Sequence, residues 1–157
     1  MMTSAIAELQ SSFLTPAEVE ASKAVMGLDT QLIEDGCYYL AELDGELAGS
    51  GGWSRRATLY GGDHSAGRDA RMLDPATEPA RIRAMYTHPD FVRRGVGKAV
   101  LACCEDAARR AGFARVELMA TLSGQPLYRA AGFERLEQIL DSTGGVPVPL
   151  VRMGKSL

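Results

Sequence analysis

The sequence predicts a mixed α/β fold, and three segments lead to that prediction. Residues 37–54 form a hairpin pattern in which an Asp-Gly turn joins two strand-like runs. Residues 80–121 give a strand, an amphipathic helix and another strand, an order that implies a right-handed crossover between parallel strands. Residues 133–153 form a closing hairpin across a Gly-Gly pair. Because two antiparallel hairpins flank one parallel crossover, the sheet must be mixed and mostly antiparallel.

The segment before the first hairpin is predicted to be helical. Residues 5–13 have a helical pattern. Residues 15–18 read Thr-Pro-Ala-Glu, a capping box with proline in the first helical position, and this helix should end near Met26. The chain is therefore expected to enter its sheet only after two helices.

The first hairpin should pair residues 37–42 with residues 47–54. The second strand contains three glycines, which indicate a kink or the close approach of a ligand or another backbone: Gly49, Gly51 and Gly52. Residues 56–78 follow with several glycines and no regular period. A loop of this length inside a compact domain is usually functional or disordered.

The second half of the chain has clearer elements. A strand over residues 80–87 leads into a helix whose apolar positions recur from residue 96 to residue 111, and Gly112 ends it. Pro147 and Pro149 lie two residues apart, so their missing N–H groups face one side, as an edge strand permits. The remaining predicted elements are a strand at 115–121, a short helix at 125–131, and hairpin strands at 133–140 and 146–153.

Length and composition indicate a single domain over residues 1–157. The net charge of −3 argues against a general nucleic-acid binder. The N-terminus lacks the basic and apolar regions of a signal peptide, and no apolar run is long enough to cross a bilayer. The three cysteines have no metal-ligand spacing. We therefore expect a cytoplasmic protein with no metal and with no nucleic-acid or membrane partner.

The turn between the strand at 80–87 and the following helix is the most informative stretch for function. Residues 93–98 read Arg-Arg-Gly-Val-Gly-Lys. A glycine-rich turn at a helix start leaves several backbone N–H groups without intrahelical partners. With the positive end of the helix dipole and the flanking cations, these groups favour binding of a phosphate. The alternative is a turn that merely connects strand to helix. No GxxxxGK[ST] motif accompanies it, which argues against a P-loop nucleotidase.

The run MYTHPDFVRRGVGKAVL at residues 85–101, followed by LYRAAGF at residues 127–133, resembles the GCN5-related N-acetyltransferases. The resemblance implies a sheet with flanking helices and a central parallel pair that splays apart. It also implies acetyl-CoA as cosubstrate, with direct transfer of the acetyl group to an amine of a small molecule or peptide. No cysteine lies in a nucleophile context, which agrees with direct transfer.

The resemblance implies which residues hold acetyl-CoA. In the family, a Q/R-x-x-G-x-G/A turn binds the pyrophosphate through backbone N–H groups, and here Val92 replaces the usual Gln or Arg. Thr121 stands where many members carry an asparagine that touches the cofactor arm. The matching turn positions are Val92, Arg93, Arg94, Gly95, Val96, Gly97 and Lys98. Backbone groups that meet the pantetheine arm and the acetyl carbonyl are expected at Met85, Tyr86 and Thr87, although an ordinary buried strand has the same groups.

The resemblance assigns Tyr128 as the acid that protonates the departing CoA thiolate. A phenol with a pKa near ~10 can make that donation and be restored. The alternative is a core tyrosine whose hydroxyl is satisfied locally. Some members place a glutamate early in the strand at 80–87, where this chain has Arg81. Glu78 is the predicted general base, with Asp74 and His64 as further candidates, and a solvated loop residue is the alternative for each.

Other expectations concern the acceptor, assembly and rival functions. Trp53, Arg55 and Arg56 could line the acceptor site, or form a surface charge pair beside a buried tryptophan. Family members usually begin with a strand ahead of the first helix, and here that strand is shortened or missing. An exposed sheet edge then predicts a homodimer. Two alternatives remain: a non-catalytic CoA- or nucleotide-binding regulatory domain, and an acyltransferase with another acyl donor or an oxygen acceptor.

Overall fold

Six strands form one sheet in the order β1-β2-β3-β4-β6-β5 in the computed structural model, which describes residues 1–157. All neighbouring strands are antiparallel except β3 and β4, so the predicted mixed α/β fold is confirmed. The strands are β1 (Tyr38–Leu43), β2 (Glu46–Ser54), β3 (Ala80–Thr87), β4 (Arg115–Thr121), β5 (Glu134–Asp141) and β6 (Val148–Ser156). The helices are α1 (Met2–Ser4), which continues as a π-helical turn over Ala5–Leu9, α2 (Pro16–Ser22), α3 (Thr30–Glu34), α4 (Val96–Arg110) and α5 (Gln125–Ala130).

The parallel pair β3–β4 is joined only at its start. Ala80 pairs with Val116 and Arg81 pairs with Glu117, and no later residue of β3 has a partner on β4. The expected splayed pair is therefore present. Beyond this point the two strands leave a gap in the middle of the sheet, and their facing edges carry backbone groups with no ladder partner.

A β-bulge lies where β3 separates from β4. Between the pairs Ser50–Tyr86 and Gly52–Arg83, β3 has one residue more than β2. Ala84 has a φ of 55° in this stretch. A left-handed alanine costs about 1–2 kcal/mol relative to an ordinary strand conformation, so the surrounding packing must hold it in place. The bulge shifts the alternation of side chains just before the end of β3.

Helix α4 packs directly against two glycines of β2, Gly49 and Gly51. A Cβ on Gly51 would overlap Met85 Sδ and would lie 2.8 Å from Val100 Cγ1. A Cβ on Gly49 would lie 2.6 Å from Val96 Cγ1. The same Cβ on Gly49 would lie 2.9 Å from the carbonyl oxygen of Tyr86, so the predicted close approach of another backbone holds at Gly49, whereas side chains crowd Gly51.

The N-terminal helices are shorter than predicted. The first helical segment ends at Leu9 rather than at residue 13. Just after this end, Ser11 donates its hydroxyl hydrogen to the backbone carbonyl of Glu8. Serine side chains compete with helical hydrogen bonds in this way. The predicted capping box at the start of α2 is present, but α2 ends at Ser22 rather than near Met26, and turns follow. The short helix α3 was not predicted.

The prediction that Pro147 and Pro149 mark an edge strand is wrong. Strand β6 lies between β4 and β5. Its pairing with β4 begins only at Leu150, opposite Thr121, so both prolines lie beyond the end of β4. The two prolines therefore cost no hydrogen bond between β6 and β4. The sheet edges are instead β1 and β5.

The irregular segment at residues 56–78 is held by hydrogen bonds along its length. Its two arms are joined by the amide of Ala57 to the carbonyl of Arg71 and by the amide of Thr58 to the carbonyl of Asp69. Its tip is joined to the turn after α2 by the amide of Gly62, which donates to Val25. This segment, which we call the 56–78 arm, is therefore joined to the turn after α2 and, through Arg81 and Arg83, to β3. No helix is both long and apolar enough to span a membrane.

Candidate active site

The turn before α4 presents a continuous row of free backbone amides. After a short 3₁₀ turn at Pro89–Phe91, the backbone takes left-handed φ angles at Arg93 (59°) and Gly95 (80°). None of the amide groups from Val92 to Lys98 donates a hydrogen bond to an acceptor within the protein. These groups, with the dipole of the 15-residue helix α4, make a site for an anion.

The amides border a cavity of about 580 Å³, which we call the turn cavity. It lies between the end of β3, the start of α4, the start of α5 and the first helical segment. All predicted cofactor-binding residues except Arg94 line it, together with the predicted catalytic acid: Met85, Tyr86, Thr87, Val92, Arg93, Gly95, Val96, Gly97, Lys98, Thr121 and Tyr128. Ala5, Leu9 and Gln10 also line it, and no motif in the sequence marked these N-terminal residues.

Arg94 lies away from this cavity. Its guanidinium is 3.5 Å from the carboxylate of Asp44, in the β1–β2 turn, and stacks over the ring of Phe91 at 5.4 Å. Arg93 and Lys98 are the positively charged residues that line the cavity.

A second cavity, which we call the split cavity, reaches the gap between β3 and β4 from the face covered by the 56–78 arm. Its volume is about 110 Å³. The tip of the arm, from Leu59 to Gly62, lines it, so part of this irregular segment borders the cavity. The two cavities share five lining residues: Met26, Met85, Tyr86, Thr121 and Tyr128. A molecule in one cavity can therefore meet a molecule in the other at the gap.

Tyr128 lies at the junction of the two cavities. It projects from α5, and its ring packs edge-on against Phe133. Its hydroxyl has no hydrogen-bond partner within the protein, although the residue is only 7% exposed. Burial raises the pKa of Tyr128, so its hydroxyl keeps its proton throughout the neutral range. A protonated donor without an internal acceptor is suited to giving a proton to a bound molecule.

The other hydroxyls shared by the two cavities already have partners. Tyr86 accepts a hydrogen bond from the amide of Gly27 at 2.8 Å, and burial raises its pKa to about 12. The hydroxyl of Thr121 accepts from the amide of Gly124 and lies 3.0 Å from the hydroxyl of Ser123, so it fixes the start of α5. Tyr128 is thus the free hydroxyl at the junction.

The structure does not bring Glu78 to either cavity. Its carboxylate accepts hydrogen bonds from the Arg71 guanidinium at 2.9 and 3.0 Å and from the amide of Asp74. These bonds lower the pKa of Glu78 to about 2. Arg81, at the family's glutamate position, is paired with Glu117 across the β3–β4 junction at 2.9 Å. Both side chains are therefore engaged in ion pairs outside the two cavities.

The remaining candidates also lie outside both cavities. The ring of His64 contacts the carbonyl of Lys23 at 2.8 Å, and the carboxylate of Asp74 accepts from the amide of Ala76. Trp53 is in the core, and Arg56 is paired with Asp35 at 2.8 Å. No aspartate, glutamate or histidine lines the turn cavity or the split cavity.

The splayed pair and the row of free amides define the acetyltransferase class that the sequence resemblance implied. Residues 3–133 match the family model described as Acetyltransferase (GNAT) family, and the chain belongs to this family. It is thus an acetyl-CoA-dependent N-acetyltransferase in the general sense of the family. A comparison of the sequence with curated proteins found no significant match.

Solved structures with the same fold include three from bacteria. A GCN5-related N-acetyltransferase from Rhodopseudomonas palustris has a TM-score of 0.71 and 19% identity, over 99% of this chain and 85% of that one. The yncA protein of Salmonella typhimurium, solved with its cofactor acetyl-CoA, has a TM-score of 0.60 and 19% identity, over 82% and 69%. The ribosomal-protein-S18-alanine N-acetyltransferase of Escherichia coli has a TM-score of 0.57 and 14% identity, over 90% and 86%. At these identities the likeness shows the fold.

Proposed function

We propose that the protein transfers an acetyl group directly from acetyl-CoA, held in the turn cavity, to the amine of a small molecule held in the split cavity. The observation that carries this proposal is the junction of the two cavities at Tyr128, whose hydroxyl has no internal partner. Acetyl-CoA supplies the thioester that reacts. The cavity volumes, about 580 and 110 Å³, suit a large donor and a compact acceptor.

The turn residues bind the pyrophosphate in this proposal. The free amides from Val92 to Lys98 donate hydrogen bonds to its oxygens, and Arg93 and Lys98 add positive charge. The unpaired edge of β3 at Met85, Tyr86 and Thr87 receives the amide groups of the donor's arm. Because most of these contacts come from the backbone, the loss of the family's Gln or Arg at Val92 leaves the site intact.

Tyr128 protonates the leaving thiolate, water accepts the proton of the attacking amine, and the Tyr128 phenolate regains a proton from water. We assign the amine proton to water because no carboxylate or imidazole lines either cavity. An amine must be neutral to attack a thioester. The rate at limiting acceptor is therefore expected to rise with pH up to the pKa of the acceptor amine.

Thiol release from acetyl-CoA, with and without a panel of amines, tests the proposal against the non-catalytic binding domain. We expect amine-dependent release, and a dissociation constant for CoA that can be measured by calorimetry. CoA binding with no release by any amine would favour the regulatory domain. Competition by longer acyl-CoA molecules distinguishes another donor. A homodimer also stays a prediction, with the exposed side chains of Leu40 on β1 and Leu140 on β5 at the two sheet edges.

A further inference from the structure

Arg83 is a buried charge in the wall of the split cavity. The residue is 4% exposed, and its side chain is 2% exposed. It is the only charged residue among those that line this cavity, which are mostly apolar. A charged group in such surroundings needs close partners, because its removal from water is costly.

The protein itself does not supply enough partners for Arg83. Its Nη1 donates to the carbonyl of Thr58 at 3.3 Å, but its Nε and Nη2 have no hydrogen-bond acceptor. Its Nη2 lies 3.3 Å from the carboxylate of Asp29 without the alignment of a hydrogen bond. Asp29 instead accepts from Arg68, at 2.9 and 3.4 Å.

Two guanidinium groups, Arg68 and Arg83, therefore share the single carboxylate of Asp29, and one positive charge is left over. Burial lowers the pKa of Arg83 and the charge of Asp29 opposes this effect, so the guanidinium remains charged. This excess charge repels a second cation in the same cavity. It favours a molecule that brings an anionic group to the wall.

The size of the split cavity limits that molecule. Its volume of about 110 Å³ is below the ~150 Å³ of an engineered apolar cavity that binds benzene. Because the cavity also opens toward Tyr128, a guest of about six or seven non-hydrogen atoms suits it. Much of the rest of its wall is apolar, with side chains such as Val25, Leu59 and Leu118.

We propose, on the basis of the function proposed above, that the acceptor is a small apolar α-amino acid whose carboxylate pairs with Arg83. The carboxylate supplies the acceptor oxygens that Arg83 lacks once the guanidinium, whose Nε and Nη2 are buried from solvent, turns toward the cavity, and charge-assisted pairing of this kind is strong. The small side chain of the amino acid meets the apolar wall, and its amine points toward the junction at Tyr128. The excess charge of the cavity excludes polyamines and lysine side chains.

Matched acceptors with and without the carboxylate test this proposal. L-alanine and L-2-aminobutyrate are compared with their amides in the thiol-release assay, in the wild type and in Arg83→Met. We expect kcat/KM for the two amino acids to fall about tenfold or more in the variant, while that for the amides changes less than about twofold. Because each acceptor is compared between the wild type and the variant, the different pKa values of the amines do not affect the result. The variant should fold, since Asp29 keeps Arg68 and two unpartnered donors are removed.

Arg81→Met is the matched control. Arg81 lies two residues away on β3 and is also ion-paired, but it lines neither cavity, and Glu117 keeps Arg152 as a partner. Its kcat/KM should change equally for amino acids and amides. An Arg83→Met variant whose preference between amino acids and amides is the same as that of the wild type would overturn the carboxylate site.

A binding measurement separates this inference from the proposed transfer reaction. Saturation-transfer NMR with L-alanine and L-alaninamide needs no turnover. Binding of alanine that disappears in Arg83→Met, without acetyl transfer to any amine, would keep the carboxylate site and refute the transferase assignment. If amines are acetylated but neither amino acid binds nor reacts, the carboxylate site is refuted and the transferase stands. If neither amino acid binds and no amine reacts, both proposals fail.

Discussion

The turn cavity and the split cavity are built from different parts of the chain. The turn cavity has its polar groups in one continuous stretch, the amides from Val92 to Lys98, and these are backbone groups. The split cavity takes its one charge from Arg83 on β3 and its lining from the 56–78 arm, the turn after α2 and β4. Backbone recognition tolerates changes of side chain, whereas recognition by one buried arginine depends on that residue alone.

Under the proposed function, this difference matches two separate tasks, binding of the donor and binding of the acceptor. A diphosphate is the same in every molecule of acetyl-CoA, so fixed amides at a helix start suffice for it. An acceptor differs from enzyme to enzyme, and side chains on separate elements can change one at a time. Tyr128 belongs to both cavities, which is where the two tasks meet.

The largest effect on activity is expected at Tyr128, which lines both cavities. Tyr128→Phe removes the only free hydroxyl at the junction, and we expect kcat to fall about 10²- to 10⁴-fold because the leaving thiolate loses its acid. The dissociation constant for CoA, measured by calorimetry, should stay within about twofold, since the amides are unchanged. Because burial raises the pKa of Tyr128, its ionisation should cause no fall in the wild-type rate up to about pH 10.

Tyr38→Phe is the control for that variant. The hydroxyl of Tyr38 bonds to Ser50 at 2.7 Å, and the residue lines neither cavity. Its kcat should remain close to that of the wild type. A Tyr128→Phe protein that keeps full kcat would make Tyr128 a packing residue.

A smaller effect is expected when only the turn cavity is changed. A Cβ on Gly97 would lie 2.9 Å from Leu127 Cδ2, at the wall of the cavity. Gly97→Val should raise KM for acetyl-CoA about tenfold, because the valine side chain occupies cavity space next to the free amides. Ala102→Val makes the same kind of change on the exposed face of α4 and should leave KM unchanged. Equal effects in the two variants would indicate a general loss of helix stability, not a blocked site.

The smallest effect is expected at Glu78. If its carboxylate serves only the 56–78 arm, Glu78→Gln should leave kcat within about twofold between pH 6 and 9. The variant should melt at a slightly lower temperature at pH 7. Since hydrogen bonds lower the pKa of Glu78 from 4.5 to about 2, this stabilisation is present above pH 4.5 and is lost as the pH falls toward 2. A hundredfold loss of kcat would instead support the sequence-based assignment of Glu78 as the base.

The elements next to the turn could be predicted because local patterns determine them. Strands β3 and β4 have the predicted bounds, and α4 begins at the predicted Val96. Hydrophobic period and a glycine at each end are sufficient signals there. The N-terminal segment was less predictable, since serines and turns shorten its helices and its contacts depend on the rest of the fold.

The acceptor side could not be predicted for a different reason. Arg83 has no motif around it, and its environment arises only when Asp29, Thr58 and Arg68 meet it from distant parts of the chain. A bulge at Ala84 also changes the alternation of β3, and nothing in the sequence marks that position. Side chains brought together by tertiary contacts leave no periodic signal.

The glycines of β2 have a consequence for how this protein can diverge. With no side chain on Gly49 or Gly51, α4 rests on the strand itself, and its first turn is fixed by the sheet. Any larger residue there would push the helix outward and carry the free amides of its first turn with it. If the two cavities hold acceptor and donor as proposed, substitutions in the arm and β3 can change the acceptor, but a different donor site would require rebuilding the centre of the sheet.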